Sequence, residues 1–315
     1  MTVHCEKVSL TAKLAAYMRQ FSDIPFAQDV AQHLRAQEAF ERLLRDHQMR
    51  PEDLLWYAPL FEVRYKSIAA MLRKLAVRQV LELASGVALR GLAMTQDPSV
   101  TYVESELQEL TDAKVSLVAD LCRQYNLAIP GTLHLVAANA LDHHQLQTAV
   151  THFRRHQPIA VVHEGLLPYL STSEMATVAR NIRDLLVEFG GVWITPDFSL
   201  QEEARHASEQ QRRFRAIVAA ATDRNLYDNA FENNAQLLTF FESLGLHPQV
   251  INQVEETPNI VSLDALKLPH QILDQAKSRL RLWILHLGSS PLETQAGQDG
   301  GTDRRTDRGT AFTLA

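Results

Sequence analysis

The chain has 315 residues, 46% of them hydrophobic, which is enough for a large globular domain with a buried core. Lys and Arg number 31 against 37 Asp and Glu, and the net charge of −6 with no basic block excludes an electrostatic footprint for nucleic acid or an anionic membrane. Two cysteines, Cys5 and Cys122, are too few for a disulfide framework and lack metal-ligand spacing; with no apolar run of membrane-spanning length, a cytoplasmic protein with a small-molecule or protein substrate is expected.

The N-terminus carries His4, Glu6 and Lys7 without an uninterrupted apolar stretch, so it does not read as a secretory signal. From Leu10 to Leu75 apolar residues recur at helical spacing, with breaks at Pro25 and Pro51, and residues 1–75 are expected to form a helical cap. Arg64 and Tyr65 fall near the end of this series. Taken alone, Arg64 reads as a solvated charge.

Strand and helix patterns alternate from there, which predicts a parallel sheet with helices on both faces. Val80–Leu83 is the first strand, and it runs into the small residues Ala84, Ser85 and Gly86 before an amphipathic segment from Leu89 to Met94. Such a turn lets ligand atoms approach the backbone at the carboxyl edge of an open sheet. Val100–Val103 is the second strand and closes on Glu104 and Glu106, about twenty residues after the turn, where a carboxylate can meet a ribose hydroxyl pair. A helix follows from Leu107 to Tyr125.

Leu133–Ala140 reads as a third strand that includes Asn139, and Pro158–Gly165 as a fourth that includes His163 and Glu164. Ser171 and Glu174 fit a capping box opening a helix to about Leu186, and Gly190-Gly191 precedes a fifth strand over Val192–Phe198. Leu200 to Ala221 reads as a single charged helix, and with the following residues to Asn234 it is expected to be an inserted lid. Leu246–Gln253 and Arg281–Leu287 complete seven strands. Residues 76–288 would thus form one doubly wound α/β domain, and 289–315 a disordered tail.

A small-residue turn and a strand-end acid occur both in nicotinamide dehydrogenases and in methyltransferases that use S-adenosylmethionine. Pyrophosphate needs a GxGxxG spacing, whereas here Ala84 and Gly86 would be the first two positions and Gly91 lies too far on. The sulfonium cofactor has no phosphates, and the turn favours it. The ending Leu246–Gln253 then Arg281–Leu287 also fits the methyltransferase sheet, in which the last strand inserts antiparallel. The His143-His144 pair, with His152 and His156 nearby, reads as a surface cluster because adjacent side chains point apart and no Cys or carboxylate completes a metal set.

Four strings, in order, resemble the leucine carboxyl methyltransferase family, especially its bacterial O-methyltransferase branch: Glu62-Val63-Arg64-Tyr65-Lys66, LELASG at 81–86, YVESEL at 102–107 with Lys114 behind it, and HEGLLPYLS at 163–171. The resemblance covers roughly residues 55–290. It implies a class I methyltransferase fold and S-adenosylmethionine as cofactor. It also implies that Arg64 holds the methionine carboxylate and that Ala84, Ser85 and Gly86 let the methionine part pass. Glu106 matches the family's ribose acid, while counting from the strand end favours Glu104, so both stand. Asn139 and Ala140 fall where the adenine is met, and Glu164 beside the cofactor. The chain departs from the family pattern at Val87-Ala88-Leu89-Arg90 and at Asn139, where the family has Asp.

The expected activity is methyl transfer to an oxygen, a carboxylate or a phenol or hydroxyl, of a small organic acceptor. A carboxylate needs no base; for a hydroxyl, His163 or Asp197 at strand ends would be the candidates. The departures also motivate a non-catalytic cofactor-binding module of the same fold, and a nicotinamide-dependent oxidoreductase is the remaining alternative.

Overall fold

The computed structural model describes residues 9–288, apart from 206, 223, 225–227, 258 and 278. The segment 289–315 and the N-terminal residues His4, Cys5, Glu6 and Lys7 lie outside the described residues.

Gln79–Leu83 (β1) is buried at every position, as a central parallel strand covered on both faces must be. It lies between Thr101–Glu106 (β2) and Ile159–Val162 (β4), and the sheet continues with Leu133–Ala137 (β3) outside β2 and Gly191–Thr195 (β5) outside β4. Arg281–Leu287 (β7) inserts antiparallel between β5 and Leu246–Asn252 (β6), giving the order β3-β2-β1-β4-β5-β7-β6. All strands but β7 are therefore parallel, and the switch in strand order between β1 and β4 opens a crevice at their carboxyl ends.

Before β1 come the helices Leu10–Arg19 (α1), Ala27–His33 (α2), Ala36–Asp46 (α3), Glu52–Leu55 (α4) and Ala58–Lys74 (α5). Arg90–Met94 (α6) and Gln108–Gln124 (α7) follow β1 and β2, His143–Ala149 (α8) follows β3, and Thr172–Phe189 (α9) follows β4. Period-2 alternation divides the strands between two cores. Val80, Tyr102, Ala160 and Ile194 pack on α2, α5 and α7, while Leu81, Leu83, Val161 and Trp193 pack on α8, α9 and the helix Asn234–Ser243 (α12).

The capping box at Ser171 and Glu174 is present in both directions, and α9 ends at Gly190, whose φ of 73° only glycine adopts without strain. The segment expected as one helix over Leu200–Ala221 is instead two, Gln201–Arg205 (α10) and Glu209–Thr222 (α11). Phe214 and Ile217 of α11 pack against Leu14, Met18, Leu54 and Tyr57 of the N-terminal helices, while Leu200 and Phe231, at the two ends of the segment, pack in the sheet's core. Val261–Ala265 (α13) and Gln271–Ala276 (α14) connect β6 to β7. Among the described residues no helix is long and apolar enough to cross a membrane.

β3, β4 and β5 stop two or more residues short of their expected ends, and β6 stops one short, at Asn252. β3 ends at Ala137 because Asn139 Oδ1 accepts from Leu141 N and its carbonyl from Asp142 N, a local turn that competes with the ladder. β4 ends at Val162 and β5 at Thr195, which leaves Asn139, His163, Glu164 and Asp197 in loops beyond the sheet's carboxyl edge.

Candidate active site

The turn after β1 is built on two left-handed residues, Ala84 at φ 48° and Gly86 at φ 56°. The first is uncommon for a residue with a Cβ, and such conformations concentrate where a ligand sets the backbone. A Cβ built on Gly86 would meet no atom within 4 Å, so the space above it is open. A shallow, open hollow adjoins the turn, lined by Arg19, Ile24, Tyr65, Val87, Ala88 and Leu89 among others.

Glu104 and Glu106, alternatives in the sequence, lie on the same strand, β2, but have different surroundings. Glu104 is buried beneath the turn, where Oε1 accepts from Gly91 N at 2.8 Å and Oε2 lies 2.5 Å from Lys114 Nζ. Burial raises its carboxyl above the ordinary range despite the lysine. Glu106 is at the crevice, where Oε1 accepts from Gly86 N at 2.9 Å and Oε2 from Leu107 N at 2.8 Å. Asn139 and Ala140 follow the neighbouring β3, and Ala140 is fixed by its carbonyl accepting from Asn181 Nδ2 at 2.9 Å.

Across the crevice, Glu164 is the focus of three arginines from three helices. Arg19 of α1 reaches it at 2.8 Å, Arg90 of α6 at 3.0 Å and Arg64 of α5 at 3.6 Å. Burial acts to raise the Glu164 carboxyl, but the three guanidinium groups outweigh it and hold the group below its usual value. Arg90 also pairs with Glu82, which accepts from Tyr102 Oη at 2.7 Å, and its guanidinium lies 4.3 Å from the centre of the Tyr65 ring. Arg64 donates to Asp197 Oδ1 at 2.8 Å; its side chain is 28% exposed, against 12% for Arg19 and 1% for Arg90. Within the motif that carries Arg64, Glu62 serves the scaffold instead, since its two oxygens accept from Val261 N and Ser262 N and so cap α13.

His163 and Asp197 lie together at the ends of β4 and β5. Asp197 accepts from Gly165 N, Leu166 N and Leu167 N as well as from Arg64, and its Oδ2 is 2.9 Å from His163 Nδ1. Burial would raise its carboxyl, yet the hydrogen bond from His163, with Arg64 and the loop N–H groups, depresses it far below the usual value. Trp193 Nε1 donates to His163 Nε2 at 3.0 Å; an indole only donates, so Nε2 accepts and Nδ1 carries the proton toward Asp197. His163 is completely buried.

The structure therefore brings Arg64, Ala84–Gly86, Glu106, Asn139, Ala140, Glu164 and Asp197 to one edge, and sets Glu104 and His163 behind it. Sequence reasoning did not find Arg19, Arg90 and Glu82. Arg90 stood out only as a departure in the turn, and Arg19 sits in an ordinary amphipathic helix where nothing distinguishes it from a surface charge. His143, His144, His152 and His156 are exposed, and His152 stacks on His134 at 3.8 Å. Among the described residues no three His, Cys, Asp or Glu groups are arranged to hold a metal.

The residues present fit a cofactor with one open turn, a diol and an amino-acid end. A pyrophosphate fits less well, because Gly86 N–H is already committed to Glu106. The strand order and the reversed β7 are those of class I methyltransferases, and the solved structures that share the fold include two that cover most of the chain. One is a DUF574 family protein from Streptomyces avermitilis (14% identity, 88% of this chain and 97% of that chain covered, TM-score 0.57), and the other a putative methyltransferase from Thermobifida fusca (14% identity, 90% and 96% covered, TM-score 0.52). The sequence profile described as leucine carboxyl methyltransferase matches residues 11–183, and the chain belongs to that family of S-adenosylmethionine-dependent methyltransferases. The comparison with curated proteins gave no match.

Proposed function

We propose that the chain methylates an oxygen of a small organic acceptor, and that this oxygen belongs to a carboxylate. One observation carries the choice: His163 and Asp197, the groups placed to act as a base for a hydroxyl, are saturated by protein partners on every side that the structure describes. A carboxylate arrives ionised at neutral pH and asks for no proton acceptor. The cofactor, when bound, supplies a sulfonium-activated methyl group that leaves the sulfur as the acceptor oxygen bonds to it.

The chain's own residues then bind and align. Arg64, the most exposed of the three arginines, is suited to the methionine carboxylate. Glu106 accepts from the ribose hydroxyls, and the turn Ala84–Gly86 leaves room for the methionine part. Asn139 and Ala140 meet the adenine, with Glu164 holding the arginines in place. His163 and Asp197 are positioning residues that fix the Gly165–Leu167 loop. Alignment and exclusion of water supply the rate.

The reading is tested by incubating the chain with methyl-labelled S-adenosylmethionine and a panel of small carboxylic acids and phenols. The expected product is a base-labile ester that releases labelled methanol on mild hydrolysis. A base-stable methyl ether as the only product would contradict the carboxylate assignment.

A further inference from the structure

Two acids stand side by side in the sheet beneath the turn. Glu82 and Glu104 are register partners on β1 and β2, both on the face covered by α6 and α7 and both buried. Like charges so placed each require a cation, and each has its own: Arg90 from α6 takes Glu82, and Lys114 from α7 takes Glu104.

The lysine does more than neutralise. Lys114 is 2% exposed, and its Nζ, 2.5 Å from Glu104 Oε2, also donates to Ser85 Oγ at 2.9 Å. The other oxygen of Glu104 receives Gly91 N, and a Cβ on Gly91 would come within 2.6 Å of it. Lys114 is thus joined directly to the start of the turn and, through Glu104, to its far end. As a source of stability the arrangement is poor, since burying an ion pair costs several kcal/mol of desolvation and an apolar pair of similar volume often serves as well or better. An apolar side chain at 114 could pack α7 but could neither bond Ser85 nor hold a carboxylate at the height of Gly91.

We infer that Lys114 is a positioning residue for the cofactor turn, fixing Ser85 and, through Glu104, Gly91, at a cost in stability. The inference rests on the reading of this turn as the place where the methionine part of the cofactor passes. Displacing Ser85 would move Gly86 and the path above it; Glu106 would lose part of its hold from Gly86 N–H, but its bond from Leu107 N–H and the ends of β3 keep the nucleoside side in place.

The test compares the wild type with Lys114→Met/Glu104→Gln, in which the buried charges are removed together, and with Ser85→Ala, which removes only the hydroxyl. Thermal unfolding is measured alongside the affinities for S-adenosylhomocysteine and 5′-methylthioadenosine, which differ by the amino-acid portion. The double variant is expected to unfold no earlier than the wild type yet to bind S-adenosylhomocysteine roughly tenfold more weakly, with a change of less than about threefold for 5′-methylthioadenosine. Ser85→Ala should show the same split to a smaller degree and keeps the test decisive if the double variant does not fold. Unchanged S-adenosylhomocysteine affinity, or equal losses for both compounds, would overturn the inference. A folded wild type that binds neither compound would instead remove the cofactor reading on which it rests.

Discussion

Gly86 and Glu106 are joined across the mouth of β1 and β2, the glycine N–H donating to Oε1 at 2.9 Å. Leu107 N holds the second oxygen, so the carboxylate is oriented before any ligand arrives, and each oxygen keeps further acceptor capacity. Glu104, two residues earlier on the same strand, is buried and occupied by Gly91 and Lys114. Depth below the strand's end thus gives two nearby glutamates different work.

That division predicts opposite phenotypes. Glu106→Ala should leave the fold intact and weaken S-adenosylhomocysteine binding by roughly 10- to 100-fold, the loss of charge-assisted hydrogen bonds to a diol. Glu104→Ala strands a buried lysine and should destabilise the protein by about 3–5 kcal/mol. Calorimetric titration and denaturant unfolding of both variants check the pair. Equal binding defects with unchanged stability would contradict it.

Glu164 gathers Arg19, Arg64 and Arg90, and its removal leaves three cations facing one another. Glu164→Ala is expected to lower both stability and cofactor affinity, whereas Arg64→Ala, at the most exposed of the three, should lower affinity with a smaller change in stability. Parallel denaturation and binding curves separate the two effects.

The depressed carboxyls of Asp197 and Glu164 give the stability a signed dependence on pH. Groups whose folded value lies below the unfolded one contribute fully above the unfolded value and lose that contribution as pH falls through the folded one. Glu104 works in the other direction, because its raised value makes stability fall as pH rises above the unfolded glutamate range. Stability of the wild type should therefore fall on acidification below the ordinary carboxylate range, and the decline should be shallower in Asp197→Asn. Unfolding free energies measured across the acid range check this.

Ala84 occupies a left-handed conformation that costs a residue bearing a Cβ about 1 kcal/mol. Ala84→Gly relieves that strain but frees the unfolded chain, so it should be neutral or stabilising by about 0.5 kcal/mol, in contrast to the usual penalty for introducing glycine. Thermal unfolding of the variant decides the sign.

The sheet was legible because its strands announce themselves twice, by apolar runs at Val80–Leu83 and Val192–Thr195 and by the small or polar residues that end them. The capping box at Ser171 was legible for a similar local reason, whereas the reversal at β7 was expected only because the methyltransferase sheet has one. Arg19 and Arg90, which join Arg64 around Glu164, were not, because Arg19 and Glu164 meet over 145 residues and an amphipathic helix gives no sign of which charge turns inward. His163 gave no sign of its partners: a histidine at a strand end is compatible with a base or with a ring bonded within the fold, and only the packing of Trp193 and Asp197 around it distinguishes them. The split of Leu200–Ala221 into two helices carries a local sign that helical periodicity on both sides overshadows: Ser208 Oγ accepts from Gln211 N and Gln211 Oε1 from Ser208 N, a capping box at the start of α11.

Equilibrium dialysis of the full chain against labelled S-adenosylmethionine tests the central claim most directly. Saturable retention near one ligand per chain, displaced by S-adenosylhomocysteine but not by NADH and abolished or greatly weakened in Glu106→Ala, is the predicted result. A folded chain that retains no ligand, or that releases it equally to NADH, would contradict the account.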